Sequence, residues 1–489
     1  MESLPAILTA SAEAFPEKPA LVFRNRPIPY SELDEWVRRS SAGLQSLGLR
    51  SGDRVAFLVG NVPEFLYAFL GTLSLGCVAV PLDIGLTAEE LGYALADCEA
   101  RVVAVQIDFL PPVLAIRERV PSIGHVLVVG PPPTPRGTQS FDDLLDHSSG
   151  DRTTPDLEGD DLAVITYTAG SGKQPRGVML THGNLLATLD QVAAVPALNL
   201  ARDDVVLMVL PLHSFFVSTF VVGAALRQGI TLALVEGFDA EETIDLIQER
   251  GVTALFGTPA MFRSWLEATE SRDVDFSPVR LAVSTVAPLP LDILEGFHRR
   301  SGGTIWRVYG LPETGAIVST TALGQAATLN TIGLPVPDIE IKLVDERGDD
   351  VEEGDPGEIL VRGPSVSKGY WNSPEETEAA FMDGWFRTAD LAYADEDGHL
   401  FLVGHKKDVI RVSGFNVFPA EVEDVLAHHP KVAACTVSGI PDEGTGEGVK
   451  AIVTLKPGEN ATEGEIIEYG GRFLARFKWP VVVEFIEST

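Results

Sequence analysis

Apolar residues along the chain fall into two alternating textures. Short runs rich in Val, Ile, Leu and Ala recur at Ala20–Phe23, Arg54–Leu58, Arg101–Val105, Val126–Val129, Leu162–Thr166, Thr231–Val235, Ala254–Phe256 and Arg280–Val283. Between them, segments such as Tyr30–Leu47 and Ala240–Arg250 carry apolar residues at helical spacing. Strands alternating with helices predict an α/β chain whose sheets are largely parallel and buried on both faces. Near Ile332 the texture changes. Ile339–Val344 and Gly357–Val361 alternate as antiparallel strands do, with Asp345–Gly348 and Asp395–Gly398 as turns. After Asp408 the pattern predicts a compact α+β stretch: helix Ala420–His428, strands Val432–Val437 and Lys450–Leu455, helix Thr462–Lys478 and strand Val481–Ile486.

Two apolar stretches are candidates for a membrane span. Phe65–Leu82 is uncharged, but Gly71, Gly76 and Pro81 break it into a helix and a short strand, Cys77–Val80. Val205–Leu226 is uncharged over 22 residues, long enough to span. Pro211, His213, Ser214, Ser218 and Thr219 lie inside it, so a strand over Val205–Leu210, a turn and a buried helix is the expected reading. The N-terminus reads as an amphipathic helix ended by Pro16 rather than a secretory leader. Gly130–Gly137 reads as an exposed loop.

Composition narrows the function classes. A chain of 489 residues suggests about three units at roughly 150 residues each. With 45 % hydrophobic and 22 % charged residues, wholesale disorder is excluded. There are 37 basic and 70 acidic residues, a net charge of −33, which argues against nucleic acid or an anionic membrane as partner. An anionic ligand must then be held by a local site working against the global field. Cys77, Cys98 and Cys435 form no CxxC pair, which argues against a disulfide framework or a zinc site and fits a cytoplasmic protein.

The strongest chemical signal is Tyr167–Val178, YTAGSGKQPRGV, directly after a predicted strand. Its small residues let the backbone wrap a ligand, its N–H groups can line an anion nest, and Lys173 and Arg176 add positive charge. A Walker loop fails, because Gln174 follows Gly172-Lys173 and the first glycine is missing at the required spacing. A Gly/Ser-rich surface turn between strand and helix is the bland alternative.

The segment resembles the phosphate loop of the AMP-forming acyl-CoA synthetase and adenylation-domain superfamily, usually YTSGTTGxPKGV. Further stretches resemble the same family in the same order. They are Tyr30–Leu33, Gly52–Val55, Ala287–Pro290, Tyr309–Thr314, Gly369–Trp371, Gly384–Asp390, and Lys407-Asp408 through Pro419–Glu423. The resemblance covers essentially the whole chain. It implies an N-terminal adenylate-forming domain over residues 1–404, with a small β-barrel-like part, and a mobile C-terminal lid over 405–489.

It also implies a two-step reaction. A carboxylate attacks the α-phosphorus of ATP, and coenzyme A then displaces AMP from the acyl-adenylate. ATP, Mg²⁺ and coenzyme A are the implied cofactors and substrates; a homodimer is compatible. By resemblance, Thr168, Ala169, Gly170, Ser171, Gly172, Lys173 and Arg176 bind phosphate. Glu313 holds the metal. Tyr309 and Gly310 face adenine opposite Val286, Ala287 and Pro288. Asp390 and His405 contact ribose, Lys407 is the hinge, and Ser413, Gly414 and Phe415 line the coenzyme A channel. The acyl pocket falls on His213, Phe215, Phe216, Thr258, Thr285 and Leu311, apolar or small apart from the histidine, which fits a fatty or aryl acid. By residue type alone, Asp390 could equally cap a turn, Glu313 be a solvated loop acid, Lys407 a surface lysine, Tyr309 a core aromatic and His213 a satisfied histidine.

Departures from the family text cluster in the chemistry. Ala169 stands for a usual serine, Gly172 for a threonine, Lys173 for a glycine, Arg176 for a lysine, Pro312 for a threonine and His405 for an arginine. Pro312 removes a hydroxyl and a backbone donor. The family's catalytic lysine follows the strand matching Val481–Ile486, and no residue here matches it, through truncation of the sequence or divergence of the protein. Lys173 is then the candidate for replacing its charge, and weak adenylation with retained transfer from acyl-AMP is the expectation. Alternative readings are an adenylate-forming ligase with another acceptor or oxyanion, and a nucleotide- or acyl-adenylate-binding pseudoenzyme.

Overall fold

The computed structural model describes residues 3–149, 155–168, 174–269, 272, 274–323, 331–413, 415–442 and 444–486. The chain divides into two compact units. One comprises Met1–Glu340 with Val361–Phe386, the other Ile341–Leu360 with Arg387–Thr489.

The first unit contains two large sheets. In one, Gln139–Ser140, His125–Val129, Val102–Gln106, Arg54–Leu58, Val78–Pro81 and Leu162–Thr168 lie side by side and parallel, and Arg176–Thr181 closes the row antiparallel. In the other, Ile305–Tyr309, Leu281–Ser284, Ala254–Gly257, Val205–Met208, Thr231–Leu234 and Pro19–Phe23 are parallel, with antiparallel strands at both ends. The Val/Ala/Leu runs form these strands because helices cover both faces. Val103, Val105 and Val128 pack against Leu91, Leu95, Val113 and Ile116 in one core. Leu207, Leu255 and Ala282 pack against Phe262, Trp265, Ile293 and Phe297 in another.

Burial explains the two apolar stretches. Helix Pro63–Ser74 is buried at every position but Glu64, and strand Val78–Pro81 follows it. Strand Val205–Met208 leads through a turn into a π-helical segment, Phe216–Val221, and helix Val222–Gln228. Among the described residues, no helix is long and apolar enough to cross a membrane. Cys77, Cys98 and Cys435 are free thiols, each pushed up to about 12 by burial.

In the second unit, Asp390–Ala394 of one strand pairs antiparallel with Leu400–His405. A second sheet orders Phe415–Val417, Ile410–Val412, Gly446–Leu455 and Val432–Asp442, with Pro480–Ile486 parallel to Gly446–Leu455. Helices Pro419–Ala427 and Glu463–Gly470 supply Val422, Leu426 and Ile466 to its core.

Two expectations need correction. The predicted helix Thr462–Lys478 stops at Gly470, and a separate 3₁₀ turn covers Arg476–Lys478. At Gly471 an added Cβ would meet the Trp479 ring at 2.5 Å, so this Gly-Gly bend lets the chain fold back under that indole. The segment after Leu162–Thr168 does not join a strand to a helix. It joins two antiparallel strands, and the helix His182–Ala193 begins only after the second.

Candidate functional site

The acyl and adenine candidates share one structural address. Strands Val205–Met208, Ala254–Gly257, Leu281–Ser284 and Ile305–Tyr309 are consecutive, parallel neighbours. His213 follows the first, Thr258 ends the second, Thr285 to Pro288 follow the third, and Tyr309 to Leu311 end the fourth. All therefore lie at carboxyl ends of parallel strands, where ligands of open α/β sheets sit.

Each is fixed locally. Thr258 caps helix Pro259–Ala268, its Oγ1 accepting from Met261 N at 3.3 Å. Phe215 is buried, and Phe216, in the π-helical turn, packs 5.3 Å from Phe220 and 6.3 Å from Phe256 between ring centroids. His213 Nε2 lies 3.6 Å from Asp83 Oδ2, too long for a direct hydrogen bond. Burial lowers the imidazole's pKa, and the Asp83 charge only partly opposes it. Val286 is 83 % exposed at φ +80°, an uncommon left-handed conformation for a β-branched residue. At Gly310 a Cβ would lie 2.3 Å from Ala316 O, so only glycine lets the chain pass there.

The turn carrying Glu313 spans Pro312–Thr314, with the Thr314 hydroxyl accepting from Leu311 N at 3.0 Å. Pro312 opens this turn, where a helical start asks for no backbone donor, so the expected loss of a donor carries no cost in the turn itself. Glu313 is 9 % exposed and its Oε1 accepts from the Tyr370 hydroxyl at 3.1 Å. Burial, reinforced by the Glu313 charge, raises the Tyr370 pKa and keeps its hydroxyl a donor.

Of the phosphate segment, Thr168 and Arg176 are described and face each other across the hairpin as register partners. Ala169, Gly170, Ser171, Gly172 and Lys173 lie outside the described residues. Arg176 Nε is 2.8 Å from Glu376 Oε2, and its guanidinium carbon is 5.2 Å from the Tyr370 ring centroid. The segment 367–371 ties hairpin and acid turn together. Lys368 N donates to Met179 O, Met179 N to Gly369 O, Trp371 N to Gly177 O and Ser367 N to Glu313 O, all within 2.7–3.0 Å.

In the second unit, Asp390 has His405 as its register partner on the next strand. The Thr388 hydroxyl donates to Ile359 O at 2.9 Å and accepts from Asp390 N at 3.0 Å, fixing the backbone after Ala389, whose φ is +61°. His405 Nδ1 accepts from Lys407 N at 3.3 Å, capping the turn Lys406–Asp408. Lys407 is exposed. Ser413 is exposed, Phe415 is 55 % exposed and stacks on Phe477 at 4.7 Å, and Gly414 lies outside the described residues.

Three residues in these contacts had no role in the sequence reading: Asp83, Tyr370 and Glu376. Tyr370 belonged to the quoted Gly369-Tyr370-Trp371 stretch, so its motif was visible and its partner was not. The other two are acids among the chain's 70, with no local pattern to set them apart.

Comparison with known proteins bears on the whole chain. The family described as AMP-binding enzyme matches residues 8–371, and its C-terminal domain matches residues 421–489. A long-chain-fatty-acid–CoA ligase of Bacillus subtilis (strain 168) is 31 % identical, covering 99 % of this chain and 91 % of its own. A feruloyl-CoA synthase of an Amycolatopsis species is 34 % identical over 97 % of this chain and 93 % of its own. An anthranilate CoA ligase solved in complex with anthranoyl-AMP superposes with a TM-score of 0.90 at 27 % identity, covering 99 % of this chain and 93 % of that one.

Proposed function

Since this chain belongs to the AMP-binding enzyme family, we propose that the residues assembled above perform its chemistry in the roles the sequence suggests. The protein is an AMP-forming acid–CoA ligase. It activates a fatty or aryl carboxylic acid with ATP to an acyl-adenylate and transfers the acyl group to coenzyme A. In the first step a carboxylate oxygen bonds to the α-phosphorus and the bond to pyrophosphate breaks. In the second the thiol sulfur bonds to the acyl carbon, AMP leaves, and the thiol proton is released.

The protein's part is to position these groups and to offset negative charge where it gathers. The observation that carries the assignment is the hydrogen-bonded strip 367–371, which holds the Arg176 strand and the Glu313 turn in one frame. Thr168 and Arg176 then address the phosphates of ATP. Tyr309 and the exposed loop Val286–Pro288 take the adenine. Asp390 accepts from the ribose hydroxyls. Phe216 and Thr258 shape the acyl pocket. Lys407 is the hinge of a lid over 405–489, a boundary of movement that differs in kind from the packing boundaries.

Mg²⁺ fits as an ion carried by the triphosphate. Among the described residues, no cluster of three or more His, Cys, Asp or Glu could hold a metal by itself. Glu313 is a single buried carboxylate, which suits an ion whose other ligands are phosphate oxygens and water. Bound there, the ion supplies charge neutralisation at the phosphates. A cytoplasmic location and a homodimer remain part of the reading. Acid-dependent exchange of labelled pyrophosphate into ATP, followed by thioester formation with coenzyme A, tests the assignment. Exchange that is insensitive to Glu313→Gln would refute Glu313's role.

A further inference from the structure

Helix His182–Ala193 carries Asn184, Thr188 and Gln191 at helical spacing, so the three lie along one stripe of its surface. All three are buried. The first two engage the protein. Asn184 Nδ2 donates to Pro364 O at 2.8 Å and to Val366 O at 3.0 Å, and Thr188 Oγ1 donates to Gly315 O at 2.9 Å. Gln191 differs. It is 2 % exposed, and among the described residues neither its Oε1 nor its Nε2 has a hydrogen-bond partner. The stripe borders the elements that carry the acyl candidates. Gly315, which receives Thr188, directly follows the turn Pro312–Thr314, and Leu311 precedes that turn. The helix also packs against the π-helical segment Phe216–Val221. In that segment Phe220 meets the Phe216 and Phe256 rings at centroid distances of 5.3 and 6.0 Å.

The π-helical segment repeats the signature. Thr219 is fully buried and its Oγ1 has no partner among the described residues, whereas Ser218 beside it donates to Ser214 O at 3.0 Å. Such π-helical turns recur at functional sites. A buried amide without a protein partner is destabilising, and an apolar side chain of that size would fill the place at lower cost. The cost is offset when a ligand brings a matching group. Oε1 accepts and Nε2 donates, so the match must both donate and accept. A hydroxyl does so, while a carboxylate only accepts and an ammonium only donates. We propose that Gln191 is a specificity-determining residue of the acyl pocket, and that the preferred acid carries a hydroxyl at the end remote from its carboxylate. This rests on the function proposed above.

Matched acids that differ only in that hydroxyl provide the test: 4-hydroxybenzoate and benzoate, 4-hydroxycinnamate and cinnamate, 12-hydroxydodecanoate and dodecanoate. Acid-dependent pyrophosphate exchange gives kcat/KM for each. In the pair used best, the wild type should favour the hydroxy acid by about tenfold or more, as a site built to hydrogen-bond a hydroxyl does. Gln191→Leu should bring that ratio to about one or reverse it. A merely structural glutamine would slow both members alike and leave the ratio unchanged, and that outcome overturns the proposal. So does a wild type without preference in every pair. If the variant does not fold, the corresponding fluoro acid tests the wild type alone. Fluorine is close to a hydroxyl in size and donates nothing, so the fluoro acid should rank with the unsubstituted one, and a fluoro acid used as well as the hydroxy acid overturns the proposal. A wild-type chain that forms no acyl-adenylate with any acid would overturn the proposed function itself, and this inference with it.

Discussion

Lys406 Nζ lies 3.0 Å from Glu358 Oε2, and Arg387 approaches the same oxygen at 2.5 Å. The Glu358 side chain is 4 % exposed, so one buried carboxylate holds two cations, one of them directly before the proposed hinge residue Lys407. Burial alone would raise the Glu358 carboxyl. Hydrogen bonds from Arg387 and Lys406, together with their charges, outweigh that and hold it below its ordinary range. A depressed carboxyl stabilises the fold above its unfolded pKa, and the contribution is lost as pH falls through the lower folded value. Glu358→Gln should therefore cost about 3 kcal/mol near neutral pH, the scale of breaking a buried pair. Denaturant melts from pH 7 downward should show wild type and variant converging in acid.

A second expectation concerns His182. It is 1 % exposed, and burial lowers its pKa to about 4, with the Asp161 charge partly opposing. The unfolded chain then binds a proton between about pH 6.5 and 4 that the folded chain refuses. Stability should fall as pH drops through that window, by about 3 kcal/mol for this group alone. His182→Phe should flatten the slope there, measured as the difference in unfolding free energy between wild type and variant. Parallel slopes would contradict it.

Asp390→Ala should weaken AMP binding about tenfold or more, because hydrogen bonds to a charged acceptor contribute roughly 1.5–3 kcal/mol. Calorimetry on the folded variant reads this directly. Unchanged affinity would remove Asp390 from the ribose contact.

The acyl pocket gives a specificity prediction. Phe216 is half-buried and packs against Phe220 and Phe256. Phe216→Ala should shift kcat/KM toward bulkier acids by about tenfold relative to wild type, the scale of a few lost apolar contacts. A panel of aryl and fatty acids in the pyrophosphate-exchange assay measures the ratio.

Much of this was legible in the sequence because buried parallel strands leave an unambiguous trace. Arg54–Leu58 begins and ends where its apolar run does, and beyond the change of texture near Ile332 strand Trp385–Ala394 pairs antiparallel with Leu400–His405. The misses have physical causes. Val432–Asp442 and Gly446–Leu455 form a hairpin far longer than their apolar cores, since Ser438–Asp442 pairs with Gly446–Lys450 through backbone atoms and leaves little hydrophobic pattern. The strand Arg176–Thr181 went unseen because the glycine-rich text before it reads equally as an approach to a helix. The site residues came from motif resemblance. Their partners, Glu358 to Lys406 and Tyr370 to Glu313, sit 48 and 57 residues apart in the chain, and no local pattern encodes such a meeting.

In the first half-reaction a carboxylate oxygen attacks the α-phosphorus of ATP. An acid carrying ¹⁸O at both carboxyl oxygens, turned over with ATP and coenzyme A, tests this by mass spectrometry of the nucleotide. The expected result is one ¹⁸O atom in each AMP formed, with acyl-CoA and AMP in equal amounts. Unlabelled AMP, or ¹⁸O in orthophosphate alongside ADP, would contradict it.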